Sequence, residues 1–162
     1  MTLKGLDDLD RHILQALQRD ARHASSQEIA EREGVSASTV RKRIARLEEK
    51  GIISGYRAEV DYGQAGYQLR VQIVCSAPIT EREQQAERAL EIAGVVSVRE
   101  IAAGANNLLV AVVADDDDDL TRIARELTEL GLDVSDEQLI RGEQFTPFGG
   151  FDGVGAAGVA ED

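Results

Sequence analysis

Tryptophan is absent from this 162-residue chain, cysteine and methionine each occur once, and proline and histidine each occur twice. A lone thiol closes no internal disulfide, so the fold must rest on packed apolar side chains rather than on cross-links. Cys75 lies in an apolar run and is expected to be a buried, inert thiol. His12 and His23 have no cysteine or suitably spaced carboxylate beside them, a pattern that offers no metal site and no cofactor ligand. Both read as plain surface residues. No apolar stretch approaches the roughly 20 residues of a membrane-spanning helix and no secretory signal is visible, so a cytoplasmic protein is expected.

Lysine is scarce too, at three against fifteen arginines. The formal net charge is −12 and it is unevenly placed: residues 1–62 hold 11 basic and 11 acidic side chains, residues 63–162 hold 7 and 19. Such acidity excludes nucleic-acid binding by the chain as a whole, because phosphate contact needs a positive footprint. Any footprint is local and belongs to the first part. A surface rich in Asp and Glu and poor in Lys matches the style of salt-loving organisms such as halophilic archaea; the alternative is an acidic domain that binds a partner.

What the chain does have is a basic amphipathic helix within residues 34–51. Val40, Ile44 and Leu47 make one apolar stripe, and Arg41, Lys42, Arg43, Arg46 and Lys50 crowd the remaining surface. Ser36 offers an N-cap oxygen and Gly51 the left-handed stop. At about 100° per residue, Ser38, Thr39, Lys42 and Arg46 face away from the stripe. They would meet base edges, while Arg41, Arg43 and Lys50 flank them at reach of phosphates, and Ser36 at the helix start completes the expected DNA-binding set.

Leu6, Leu9, Ile13, Leu14 and Leu17 repeat at helical spacing, opened by Asp7 and Asp8. Ser25-x-x-Glu28 is a capping box for a second, short helix that Gly34 stops. Two helices joined by a short turn, the second basic and outward, form a helix-turn-helix. Residues 52–60 partly alternate as a two-stranded wing would.

Residues 61–66 carry turn formers, and the expected organisation is a winged helix-turn-helix over 1–62, a linker over 63–66, and a second domain over 67–146. Residues 147–162, rich in Gly and Ala, are expected to be disordered. Within the second domain, a strand over 67–76, a helix over 81–92 capped by Thr80, a hairpin of 95–101 with 108–114, a helix after five aspartates, and a strand over 134–141 give the order βαββαβ. That is an α+β, ferredoxin-like split unit. Asp115 to Asp119 read as a charge-matched helix start rather than a cation site.

Leu6-Asp-x-x-Asp10-Arg-His-Ile-Leu14, Asp20-Ala-Arg22, Glu28-Ile-Ala30, Gly34-Val-Ser36, Thr39-Val-Arg-Lys-Arg43-Ile-x-x-Leu47-Glu48 and Gly51-Ile-Ile-x-Gly55-Tyr56 follow one another in an order and spacing that resemble the Lrp/AsnC, or feast/famine, family of prokaryotic transcriptional regulators. The resemblance covers residues 6–144. It implies double-stranded DNA as a partner, homodimers that pair through the second domain's sheet and associate into tetramers or octamers, and an amino acid or related small metabolite as effector. It also implies an effector site near the loop between the second and third strands, here Gly104, Ala105, Asn106 and Asn107. Family members often show Gly-x-x-Asp followed by an aromatic; Asn107 keeps hydrogen-bonding capacity but removes the charge that would pair with an ammonium group. Two rival readings are an effector-independent architectural DNA binder and an enzyme similar to the siroheme decarboxylases, which use His and Tyr in the second domain. Here no His or Tyr follows Tyr67, and a non-enzyme is expected.

Overall fold

The computed structural model describes residues 5–151. They fall into two compact units, residues 5–58 together with 144–151, and residues 59–143.

The first unit contains helices α1 (Asp8–Asp20), α2 (Ser26–Glu33) and α3 (Ala37–Glu49). Local chemistry writes their ends. Asp7 accepts from the Asp10 amide and Asp10 reaches back to the Asp7 N–H, a capping box matched by Ser25 and Glu28 on α2. Gly34 and Gly51 both sit at φ +68°, the left-handed conformation that closes a helix and strains any other residue. Ile13, Ile29, Val40 and Leu47 form the buried centre, with Ile44 and Ile53 packed against it.

Residues 52–60, predicted as a two-stranded wing, carry no strand. The Ile52 and Ile53 amides both bond back to the Leu47 carbonyl, so the start of the expected hairpin closes α3 instead, and Gly55 breaks the run that follows at φ +156°. The wing is a loop, held to α3 by the Tyr56 hydroxyl, which donates to Glu48 at 3.0 Å.

The predicted disorder of the tail fails at residues 148–151. Gly149–Phe151 form a turn of 3-10 helix, the Phe148 amide donates to Gln18 Oε1 at 3.2 Å, and the Phe148 and Phe151 rings meet edge to face at 5.1 Å. Phe151 packs onto the first unit's core, beside an open groove of about 370 Å³ lined by Leu14, Leu17, Ile53 and Tyr56. Phe151, with Phe148 against its ring, supplies apolar area that a composition dominated by glycine conceals. Residues 152–162 of the predicted tail lie outside the described residues.

The second unit holds β1 (Leu69–Ser76), α4 (Arg82–Ala89), β2 (Val95–Glu100), β3 (Leu108–Ala114), α5 (Asp117–Glu129) and β4 (Asp133–Leu139). The sheet runs β2-β3-β1-β4, antiparallel throughout, which is the predicted βαββαβ arrangement. Val71, Ile73 and Cys75 of β1 and Val110 and Val112 of β3 share the core with Ile123 and Leu127 of α5 and Ala86 and Ala89 of α4. Cys75 is fully buried, and burial pushes its thiol up to about 11.

Two local expectations change. Helix α4 is shorter than 81–92, and Glu81 rather than Thr80 holds its N-cap position, without a side-chain bond. Residues 61–67 form a bonded turn, with Asp61 accepting from Gln64 N at 3.0 Å and Tyr67 N donating to Tyr62 O at 2.9 Å, and they pack with the second unit. In the aspartate run, Asp116 caps α5 by accepting from Asp119 N at 2.9 Å, and Asp119 pairs with Arg122 at 2.7 Å. Among the described residues no helix is long and apolar enough to cross a membrane.

Candidate nucleic-acid interface

Ser36 sits at the N-cap of α3, where its Oγ accepts from Thr39 N at 3.1 Å and lies 2.9 Å from Thr39 Oγ1. The cap fixes where the helix starts, and the 3.6-residue period then fixes which side chains share a face. Ser38, Arg41, Lys42 and Lys50 are exposed, and among the described residues none of the three cations forms an ion pair. Val40 and Leu47, on the opposite side, are fully buried. The helix therefore turns its cations out on the side that the core does not use.

Arg43 and Arg46 are placed differently. Arg43 Nη1 lies 2.5 Å from Asp7 Oδ2 and 3.1 Å from Asp10 Oδ1, and Arg46 Nη2 lies 2.6 Å from Asp10 Oδ2. Asp10 is fully buried, while the side chains of Arg43, Arg46 and Asp7 are 27%, 41% and 51% exposed. Both arginines thus tie α3 to the start of α1. The Asp10 amide, followed by Arg43, holds the Asp7 carboxyl below the usual carboxylate range. What this adds to stability is present above the ordinary value near 3.9 and is lost as pH falls through the lower folded value.

Sequence reasoning missed Asp10, although a signal was there. Position 10 falls within the apolar stripe of Leu6, Leu9, Ile13, Leu14 and Leu17, and a carboxylate on a buried stripe requires a cation opposite it. His12 is also more than a surface residue: its Nδ1 lies 2.6 Å from Glu33 Oε2, joining α1 to α2. Burial alone would raise the Glu33 carboxyl, but His12 and Arg32 outweigh it and lower it. His23 is exposed and lies 2.7 Å from Asp20.

In the loop between β2 and β3, Gly104, Ala105 and Asn106 are exposed, and Asn106 Oδ1 accepts from the Ser135 hydroxyl at 3.0 Å. Asn107 points inward. Its Oδ1 accepts from Ala77 N at 2.9 Å and its Nδ2 donates to Ala77 O at 2.8 Å, both buried. One partner can only donate and the other only accept, which fixes the amide's orientation and uses both its ends.

A family of winged helix-turn-helix DNA-binding domains matches residues 6–54. An uncharacterized HTH-type transcriptional regulator of Pyrococcus furiosus is 35% identical over 128 residues, 79% of this chain and 80% of its own length. The regulator LrpA of Pyrococcus horikoshii is 35% identical over 73% of this chain and 82% of its own. Among solved structures, the feast or famine regulatory protein of M. tuberculosis complexed with L-methionine superposes with a TM-score of 0.73 at 26% identity, covering 87% of this chain and 95% of its own. The regulator MtbAldR does so with a TM-score of 0.73 at 27%, covering 86% and 97%. With its capped basic helix, its four-stranded sheet and these relatives, the chain belongs to the Lrp/AsnC family of DNA-binding, HTH-type transcriptional regulators.

Proposed function

We propose that this regulator reads a specific DNA sequence as a homodimer and answers to an amino acid or a related small metabolite. The observation that carries the reading is the outward face of α3, where Ser38, Arg41 and Lys42 stand free in a chain whose net charge is −12. On this reading Ser38 and Lys42 approach base edges with Thr39 and Arg46 beside them, and Ser36, Arg41, Arg43 and Lys50 lie along the phosphates. Two copies, paired through the second unit's sheet, present two such helices to half-sites about 10 base pairs apart or a multiple of that. Tetramers or octamers add avidity. The acidic second unit repels DNA from every other surface and suits a salt-rich cytoplasm. Lys42→Ala is expected to weaken binding to the gene's own upstream region by about tenfold to a hundredfold in a mobility shift. Unchanged affinity would remove that face from the reading.

An amino-acid effector is supported by the methionine bound to the mycobacterial relative and by the exposed Gly104, Ala105 and Asn106. The inward turn of Asn107 favours a second reading, an architectural DNA binder without an effector, since no loop charge is left for an ammonium group. Melting the protein against a panel of amino acids separates the two. A ligand of the folded state at about 100 times its Kd adds about 2.7 kcal/mol, a clear rise in Tm, whereas a flat panel supports the architectural reading.

A further inference from the structure

Arg43 has two anionic partners that differ in kind. Asp10 is sealed in the interior and also holds Arg46, so it cannot leave without opening the junction of α1 and α3. Asp7 is half exposed, and its carboxylate meets the same Nη1 at 2.5 Å. Arg43 follows Thr39 by one turn, on the flank of the face assigned to DNA, so a phosphate approaching α3 meets Asp7 already in its place. Nη1 gives one hydrogen to Asp10 and the other to Asp7, so a phosphate that reaches this nitrogen displaces Asp7, and one that approaches Nη2 or Nε meets the repulsion of the Asp7 charge beside it.

We infer that Asp7 is a built-in phosphate mimic, which holds Arg43 in the free protein and competes with the DNA backbone for it. This rests on α3 being the DNA-contacting helix. An exposed ion pair contributes little to stability, so a phosphate displaces it at small cost. Until that happens, one of the few cations near the reading face is neutralised and a negative charge stands beside the incoming backbone. The device weakens binding to all sequences alike and leaves discrimination to side chains such as Lys42, because phosphate contacts carry no sequence information.

Asp7→Asn in the full chain tests this, because asparagine is an equally good N-cap and keeps α1 intact while the charge goes. A thermal melt matching wild type confirms that the fold is retained; Asp7→Ser, another N-capping residue, is the substitute otherwise. Expected is binding about threefold to tenfold tighter to both the upstream region and a random-sequence duplex, with the slope of log K against log salt steeper by about 0.9, one phosphate more. Adding Arg43→Gln to Asp7→Asn should abolish the gain. Wild-type protein that binds DNA while Asp7→Asn leaves affinity and slope unchanged, or a gain that survives Arg43→Gln, overturns the inference alone. Wild-type protein with no preference for any duplex overturns the reading of α3 itself.

Discussion

Replacing Asp10 by alanine is expected to destabilise the first unit by about 3–5 kcal/mol, since it removes a fully buried carboxylate together with its charge-assisted bonds to Arg43 and Arg46. Arg46 would suffer most. Its Nη2 loses the carboxylate at 2.6 Å, and its Nε is already buried without a hydrogen bond. Arg43 keeps Asp7, but the capping box at the start of α1 loses its returning carboxylate. For a unit of this size such a loss lowers Tm by more than about 12 °C, readable as an early thermal transition separate from that of the second unit. Asp10→Leu combined with Arg46→Leu should recover much of the loss, because apolar replacement of a buried ion pair is commonly neutral or better. A shift of only a degree or two for Asp10→Ala would show that the cluster is solvated and contributes like a surface pair.

The second large effect is expected at Asn107. Leucine has the same branched outline but leaves Ala77 N and Ala77 O unpaired in the interior, at about 1–3 kcal/mol for each group and so about 2–6 kcal/mol for the second unit. Asn107→Asp gives a sharper result because it depends on pH. An ionised aspartate still accepts from Ala77 N but turns its other oxygen against Ala77 O, whereas the protonated acid donates to it and restores both bonds. The folded state therefore raises that carboxyl above its unfolded value near 3.9. Stability is full below that value and is lost as pH rises through the folded one. Urea titrations at pH 4 and pH 7 would read it. Equal stability at the two pH values, or no loss in Asn107→Leu, would show that the side chain is solvated.

These residues also mark how far the sequence could be read. Ser36, Gly51 and the Ser25–Glu28 box are local devices, completed within four residues, and they are found where the pattern put them. The βαββαβ order was legible because each element carries its own period and stop. What was hidden depends on partners far along the chain. Asp10 meets Arg46 across 36 positions, Asn107 meets Ala77 across 30, and Phe148 meets Gln18 across 130. A helical wheel assigns Arg46 to the open side and Arg43 to its flank, because it sees only one helix and not the acidic end of another laid beside it. The strands expected over 52–60 are missing for a related reason: alternation suggests them, but the Ile52 and Ile53 amides close α3 on the Leu47 carbonyl instead of opening a hairpin.

The seating of Phe148 and Phe151 on α1 has a consequence for biosynthesis. The first unit is assembled from residues 5–58 and 144–151, with the second unit between them in sequence, so it cannot be finished until the second unit has been synthesised. At about 5–20 residues per second, the nascent α1–α3 bundle waits roughly 5–20 s for Phe151, which packs on its core beside Leu14 and Leu17. Throughout that interval the groove lacks the wall that Phe151 supplies, and translation that stops short of Phe151 would leave the core bare at that place permanently.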